Sequence, residues 1–519
     1  MRPGRALFAL TLAASVVLLG STILNVALPQ IRAVLGASDT GQQWILNGYT
    51  LTFAGFLLVA GNAGDRFGLK RLLYWGTAAF TLTTAACGEA DSVLPVIVLR
   101  ALMGVAAAAI MPTSLAMILR VFPAENRARA IAVWAAASGL SISLGPMLGG
   151  ALLSAGLWWG SVLELVAACG LLAFVTVAAW VPRVEGSGAG ELRVLPVAGS
   201  LGGISLLLFG VVHIDEGGWT SAGTWLPMVA GILTLAVLTV LEARHREPLV
   251  DVALFRHRSF SVATTALTLA TFVLFGYMYV VTFYLQVERG YSPLVTGLLL
   301  IPLSAGLMAG AGLSRTITRH VGTRGTIAAG LALTTLAFVA AAGLGKDTSA
   351  VLFMGDALLL SLGFALVLSP GITLASSTIP ADRSGAGSAL LNTLRQLGSA
   401  LGVAVLGSVL WSHYSSSVGR RLNDVPARVH DVATGSLAGA LSTGKPEVAD
   451  AAVASFLSAM HEVSLLAAGV SALGFLVAVV VRTESVRRGR HRTGRASAFL
   501  PRSEPPTVQT ATPSVRERT

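Results

Sequence analysis

The sequence predicts an all-α polytopic membrane protein with two six-helix bundles and two inserted helices. Of its 519 residues, 54% are hydrophobic and 12% are charged, against roughly 25% charged residues in an ordinary soluble domain. The mean hydropathy is +0.75, and apolar runs of membrane-crossing length recur along the chain. These observations exclude a soluble enzyme, a disordered protein and a disulfide scaffold.

Gaps rich in charge, proline or glycine divide the chain into fourteen apolar runs, each of a length that crosses a bilayer. The first run follows two arginines but is too long for a signal peptide and lacks a small-residue cleavage site, so we interpret it as a span. The runs lie near residues 6–29, 45–63, 72–90, 93–117, 129–152, 158–181, 196–214, 223–242, 260–285, 293–314, 324–343, 350–371, 387–411 and 462–482.

The basic residues indicate the orientation of these spans. With a cytoplasmic N terminus, the short outer loops hold only Arg32, Arg289 and Lys346, and the other short-loop bases fall inside. The net charge of +11 therefore reflects topology, and we expect no nucleic-acid partner. The preference for arginine over lysine is typical of a GC-rich bacterial genome. We expect a multi-pass protein of the bacterial plasma membrane with both termini in the cytoplasm.

A weak internal repeat sets the predicted domains. Basic, glycine-containing hairpins at 61–71 and 314–324 each separate the second and third helices of a six-helix set. Two similar sets are typical of a transporter whose site lies between them near the midplane. The predicted domains are an N-terminal six-helix bundle at 1–185, inserted helices 7 and 8 with their loops at 186–255, a C-terminal six-helix bundle at 256–486 that includes an outer loop at 412–455, and a disordered basic cytoplasmic tail at 487–519. The tail either touches anionic lipid or is simply solvated.

The first hairpin combines an acid, three bases and three glycines, and glycine allows a tight turn and close helix approach. Its residues are Gly61, Gly64, Asp65, Arg66, Gly68, Lys70 and Arg71. The pattern resembles the major facilitator superfamily signature between helices two and three. The resemblance implies that Asp65 joins a charge network and a helix N terminus in a latch between the halves. A plain positive-inside anchor would explain the bases but neither Asp65 nor the glycine spacing.

Small residues also punctuate the fifth span, where they let a neighbouring helix pack closely. They are Gly139, Ser143, Gly145, Pro146, Gly149 and Gly150. The Gly-Pro-x-x-Gly-Gly pattern resembles the antiporter signature of the superfamily, which is characteristic of exporters. A bare helix-packing motif is the alternative.

Further segments resemble the fourteen-span drug:proton antiporter branch, at 22–29, 44–49, 158–161, 290–293 and 392–398. The likeness extends to about residue 482. It implies the major facilitator fold and proton-coupled efflux of drug-like or antibiotic-like molecules by alternating access. The alternatives are an exporter of an endogenous metabolite, an uncoupled facilitator and a non-transporting membrane sensor. The expected partners of this non-enzyme are a hydrophobic or cationic small molecule, protons and lipid. We expect a monomer with no metal and no cofactor, and with the proton as coupling ion.

Four ionisable residues fall inside predicted spans: Arg100, Glu164, Asp356 and Arg395. A charge facing lipid at the centre of a span costs about 2.5–3.5 kcal/mol on insertion scales, so we expect these side chains to face a wet cavity. Arg100 matches an arginine that is tied to proton transfer in relatives. The branch usually has an acid at the position of Gly20. We therefore assign proton coupling to Glu164 first and Asp356 second, with Arg100 nearby; the alternative is that either acid stays ionised at the outer interface.

The predicted substrate cavity is lined by polar residues from one span and aromatic residues from another. The resemblance implies that Arg395 belongs to an Asn-x-x-Arg-Gln motif with Asn392 and Gln396. Phe275 and Tyr279 lie on one face of the ninth span, and aromatic walls suit a flat hydrophobic or cationic solute. Lipid-facing packing or an aromatic belt at the interface is the alternative interpretation.

Overall fold

A computed structural model describes residues 3–183, 194–214, 218, 221–243, 252–379, 384–422 and 425–480. Every regular element in these ranges is helical. The helices are α1 (Pro3–Thr22), α2 (Leu28–Leu35), α3 (Asp39–Phe67), α4 (Leu69–Gly88), α5 (Val93–Val121), α6 (Ala124–Ser154), α7 (Ser161–Trp180), α8 (Val194–Val212), α9 (Ala222–Ala243), α10 (Arg258–Phe283), α11 (Pro293–Leu299), α12 (Ile301–Ala341), α13 (Ala350–Ser376), α14 (Ser384–Arg421), α15 (Ala427–Gly435), α16 (Leu437–Ser442) and α17 (Pro446–Val480).

In these ranges, nine segments are long and apolar enough to cross a membrane. The all-helical prediction is therefore confirmed, and the count of fourteen spans stays a prediction. The predicted tail at 487–519 lies outside the described residues.

The first span is broken near its end. α1 passes into a 3-10 segment, Ile23–Ala27, before α2 begins. Pro29 has no N–H to donate to the carbonyl of Asn25, and the N–H of Leu28 donates to that carbonyl instead. The break places 3-10 backbone, and not a regular α-helix, beside α6.

The second basic hairpin is a turn inside α12. Gly322 has φ of 76°, a left-handed conformation that glycine adopts without strain. A Cβ on Gly310, before the turn, would lie 2.6 Å from the Cβ of Ala365 on α13, and one on Gly330, after the turn, would lie 2.7 Å from the carbonyl oxygen of Gly363. Because both arms of α12 meet the same stretch of α13, the chain reverses at Gly322, as the sequence predicts for 314–324.

The helices pack in two groups. In the first group α1 packs on α5, α6 and α7, and α4 packs on α5 and α7, with α3 beside α5. In the second group α13 packs on both α12 and α10, while α14 and α17 pack on α10 and on each other. α8 and α9 form a pair, and α8 contacts α3 of the first group and α14 of the second. The predicted domain boundaries stay a prediction.

The predicted outer loop at 412–455 is mostly helical. α14 continues past the predicted end at 411 to Arg421, and α17 begins at Pro446, before the predicted start at 462. α15 and α16 lie between them. Helices of this length extend beyond a bilayer core of about 30 Å, so this segment forms a helical cap on one end of the bundle.

Candidate functional site: a cavity between two helix groups

The two groups meet closely at one end of the bundle, which we call the closed end. It comprises residues 23–39, 146–154, 286–300 and 407–437. On α11, a Cβ added to Gly297 would lie 2.7 Å from the carbonyl oxygen of Pro146 and 2.8 Å from Cα of Met147. The backbone N–H of Leu294 donates to Oγ of Ser154 at 2.8 Å. α6 and α11 therefore touch backbone to backbone.

The small residues of the antiporter-like motif form this contact from the α6 side. A Cβ on Gly150 would collide with the carbonyl of Pro293, and one on Gly149 would lie 3.0 Å from Cγ1 of Ile23 in the 3-10 segment. Gly145 faces the same 3-10 segment. One stripe of the motif thus packs within the first group, and the other packs against α11, the short helix that follows α10 of the second group in the chain. Gly139 and Ser143 are helical, but their side chains lie outside the described part of the structure.

Arg32 links the closed end to the helical cap. Its guanidinium pairs with the carboxylate of Asp39 and donates to the carbonyl oxygen of Gly435 at 2.8 Å. It also lies 5.6 Å from the ring centroid of Trp411, within cation–π range. Trp411 in turn donates from Nε1 to the hydroxyl of Tyr279 at 3.0 Å. The sequence marked Arg32 only as a base in an outer loop, because its partner Gly435 is remote in the chain.

A mostly apolar cavity lies directly beside the closed end and between the two groups. The space among its lining residues measures about 560 Å³. The lining residues are Thr22, Asn25, Pro146, Leu274, Phe275, Met278, Leu300, Leu303, Leu307 and Ser361. Phe275 is thus at the cavity, as expected from the sequence. Tyr279 is fully buried, and it lies in the aromatic cluster around Trp411.

The predicted polar set on α14 lies nearer the other end of the bundle. Arg395 donates from Nη1 to Oδ1 of Asn392 at 3.1 Å, and its carbonyl accepts from the hydroxyl of Thr271 at 3.0 Å. Thr271 precedes Phe275 by one helical turn, about 6 Å along the axis at 1.5 Å per residue. Arg395 and Gln396 are partly buried, and Asn392 is exposed.

Arg100 is fully buried and is held by backbone carbonyls. Its Nε donates to the carbonyl of Ile45 at 3.1 Å and its Nη1 donates to that of Gly20 at 2.9 Å. The guanidinium lies 4.4 Å from the ring centroid of Tyr49. Nη2 has no hydrogen-bond partner among the described residues. The Gly20 position, where the branch usually has an acid, therefore contributes a carbonyl oxygen to Arg100.

The two predicted coupling acids differ sharply in their surroundings. Glu164 is exposed in the first turn of α7, close to Glu89. α7 begins at Ser161, and the assigned role of Glu164 in proton coupling stays a prediction. Asp356 is 7% exposed, and neither of its carboxylate oxygens has a hydrogen-bond partner among the described residues.

The first basic hairpin turns at Gly68, with φ of 92°, where glycine is favoured. A Cβ on Gly64 would lie 2.9 Å from Cδ2 of Leu69. Lys70 donates to the carbonyl of Ala178 at the end of α7, at 3.1 Å. Arg71 is exposed. Gly61, Asp65 and Arg66 are helical, but their side chains lie outside the described residues, so the latch stays a prediction.

A cavity between two groups of membrane-length helices, closed at one end, is typical of a secondary transporter. The family model for the Major Facilitator Superfamily matches residues 10–403. The chain belongs to this superfamily of multi-pass membrane transporters.

Two similar proteins with known roles act in drug resistance or export, as their names state. The chain is 33% identical over 408 residues to the multidrug resistance protein Stp of Mycobacterium tuberculosis, covering 78% of this chain and 75% of the relative. It is 32% identical over 414 residues to the tetracenomycin C resistance and export protein of Streptomyces glaucescens, covering 79% and 76%.

Among solved structures, the fold is similar to a bacterial homologue of the human lysosomal transporter Spinster in an inward-facing, unoccupied conformation. The TM-score is 0.66 at 17% identity, over 93% of this chain and 98% of the other. At this identity the likeness concerns the fold.

Proposed function

We propose that this protein exports hydrophobic or cationic drug-like molecules across the bacterial plasma membrane in exchange for protons. The observation that carries the proposal is the apolar cavity beside Phe275, which both groups line and which the contact between α6 and α11 separates from one end of the bundle. Its lining is mostly apolar with a few polar groups, Thr22, Asn25 and Ser361, and this composition is typical of small-molecule sites. Efflux relatives such as Stp support the assignment to drugs and antibiotics.

Alternating access follows if the closed end opens as the other end closes. With fourteen spans and both termini cytoplasmic, the closed end faces the outside. The contact at Gly297 and the Arg32 bridge to Gly435 would then form the outer gate. The hairpin around Asp65 would latch the opposite, cytoplasmic side.

We assign proton coupling to Asp356, with Arg100 as the buried base of the first group. Burial of a carboxyl group without a counter-charge disfavours its ionised form, so its proton occupancy responds strongly to the opening of the site. Asp356 meets this description. Glu164 does not, because it is exposed.

The test is proton-driven accumulation of ethidium, a flat hydrophobic cation, in everted membrane vesicles. We expect ethidium uptake when the vesicle lumen is acidified, and loss of the dye when nigericin collapses the pH gradient. Asp356→Asn should abolish the accumulation, whereas Glu447→Gln, an exposed acid in the first turn of α17, should not. Accumulation by Asp356→Asn at the unmodified rate would contradict the coupling assignment, and no pH dependence at all would contradict antiport.

Export of an endogenous antibiotic-like metabolite is the second candidate, because one relative is named for both resistance and export of tetracenomycin C. An uncoupled facilitator is favoured by one feature, the absence of an acid at Gly20. The same vesicles distinguish these possibilities. A metabolite exporter would move a metabolite of the producing cell and not ethidium, and a facilitator would equilibrate its solute without concentrating it.

A further inference from the structure

A column of polar side chains runs through the second helix group, apart from the cavity. It begins at Asp356 on α13 and continues along α10 through Tyr277 and Tyr284 to Glu288 in the π-helical turn Tyr284–Glu288. Tyr277 and Tyr284 are seven residues apart, and such residues share one face of an α-helix. Leu274, Phe275 and Met278, which line the cavity, lie roughly 60–160° away from Tyr277 around α10 at 3.6 residues per turn.

The members of the column lie within electrostatic reach of their neighbours. Tyr277 interacts with both Asp356 and Tyr284, and Tyr284 interacts with Glu288. The ring of Tyr284 lies 6.2 Å, centroid to centroid, from that of Phe353, one helical turn before Asp356. Asp356, Tyr277, Tyr284 and Glu288 therefore follow one another in space, from the buried carboxyl group to the closed end.

The column reaches the surface at the loop between α12 and α13. The hydroxyl of Tyr284 donates to the carbonyl of Gly345 at 2.9 Å. Glu288 lies close to the charged groups of Arg289, Lys346 and Asp347. Of these groups the Asp347 carboxylate can accept a proton from the aqueous phase and pass it to the Glu288 carboxylate.

Four buried polar atoms along this column have no hydrogen-bond partner among the described residues. They are both carboxylate oxygens of Asp356, the hydroxyl of Tyr277 and Oε2 of Glu288. Buried polar atoms in native proteins find a partner, in protein or in ordered water, and ionisable residues inside membranes commonly belong to proton relays. Tyrosine hydroxyls both donate and accept hydrogen bonds, so they can link carboxyl groups through such water.

We infer that Glu288, Tyr284 and Tyr277 form a water-linked proton path between the closed end and Asp356, separate from the substrate cavity. One proton enters at the Glu288 carboxylate, is relayed through hydrogen bonds around the two hydroxyl groups, and ends on the Asp356 carboxylate. No other bond changes. The closed end can then be sealed to substrate while Asp356 still exchanges protons with that side. This inference rests on the proposed proton-coupled function.

The experiment uses the full chain in proteoliposomes, with ethidium as the probe and two readouts. The first is the rate of ethidium transport driven by a pH gradient. The second is exchange of ethidium at equal pH on both sides, which needs the cavity and the rocking motion but no net proton transfer. We expect Glu288→Gln and Tyr277→Phe to slow driven transport at least about 10-fold, since a positioned proton-transfer group contributes 10²–10⁴-fold. Exchange should stay within about twofold, because Tyr277→Phe keeps the buried ring and Glu288→Gln keeps the shape of the side chain.

Matched substitutions control for changes unrelated to the path. Glu447→Gln removes an exposed carboxylate of α17, and Tyr74→Phe removes a hydroxyl in the first group; both should leave the two rates unchanged. Glu288→Asp keeps a carboxylate and should recover most of the driven rate. The inference is overturned if Glu288→Gln and Tyr277→Phe both keep the driven transport rate of the unmodified protein while Asp356→Asn abolishes driven transport. That result would leave proton coupling through Asp356 intact, whereas absence of any proton drive in the unmodified protein would remove both proposals.

Discussion

Gly297→Ala should open the closed end without harming either helix. The added Cβ would lie 2.7 Å from the carbonyl oxygen of Pro146 and 2.8 Å from Cα of Met147, whereas ordinary contacts begin at 3.4 Å. α6 and α11 must therefore separate by about 0.6–0.7 Å. All the opposing atoms belong to the backbone of α6, so no side-chain rotation relieves the clash. Overpacking of this kind costs about 1–3 kcal/mol.

This penalty applies only to conformations in which α6 and α11 touch. A difference of about 1–3 kcal/mol corresponds to a 5–150-fold shift in population, here toward a protein that is open at this end. Gly312→Ala is the matched control, because a Cβ on that helical glycine meets nothing within 4 Å.

The assay is cross-linking between Ser154→Cys and Leu294→Cys, whose parent residues are joined by a 2.8 Å hydrogen bond. The native Cys87 and Cys169 are replaced by alanine in the same background. We expect Gly297→Ala to reduce the rate of cross-linking by a short bifunctional reagent at least about fivefold. Equal rates in the Gly297→Ala and Gly312→Ala proteins would refute the reasoning, because the backbone contact would then not limit closure.

Two further substitutions test the buried and bridging arginines. Arg32→Lys keeps the positive charge but not the planar fork that both donates to Gly435 and stacks on Trp411; hydrogen exchange in the segment around Gly435 should become faster, and unchanged protection would count against the bridge. Arg100→Lys loses at least one of two hydrogen bonds from a buried charged group, each worth about 1.5–3 kcal/mol. Its melting temperature in detergent should fall, whereas that of Arg71→Lys, which changes an exposed base, should not.

Features that depend on neighbouring residues could be predicted from the sequence. Hydropathy located the apolar helices because a membrane helix must satisfy its own backbone and cover itself with apolar side chains. Glycine-containing hairpins were predicted at 61–71 and 314–324, and each turns at a glycine with positive φ, Gly68 and Gly322. The small residues around Gly150 were predicted to permit close packing, and they do so against α11.

Features that depend on distant residues could not be predicted in this way. The exposure of Glu164 is one case, because it depends on the start of α7 at Ser161, which the preceding turn sets. Arg100 was expected beside an acid, and it binds two carbonyls instead. The bridge from Arg32 to Gly435 joins residues 403 apart in sequence, and no local pattern signals such a contact.

The replacement of an acid by Gly20 changes where charge can reside in the first group. A Cβ at this position would lie 3.1 Å from Cζ of Phe80 and 3.4 Å from Cγ1 of Val166, so apolar side chains surround the position. Arg100 remains there as a buried base that donates to two neutral carbonyls. In the second group, Asp356 is a buried acid with no base among its described contacts. The hydrogen bonds of Arg100 do not need an acid at the position of Gly20. A titrating carboxyl group in the second group, Asp356, is therefore compatible with the absence of that acid from the first group.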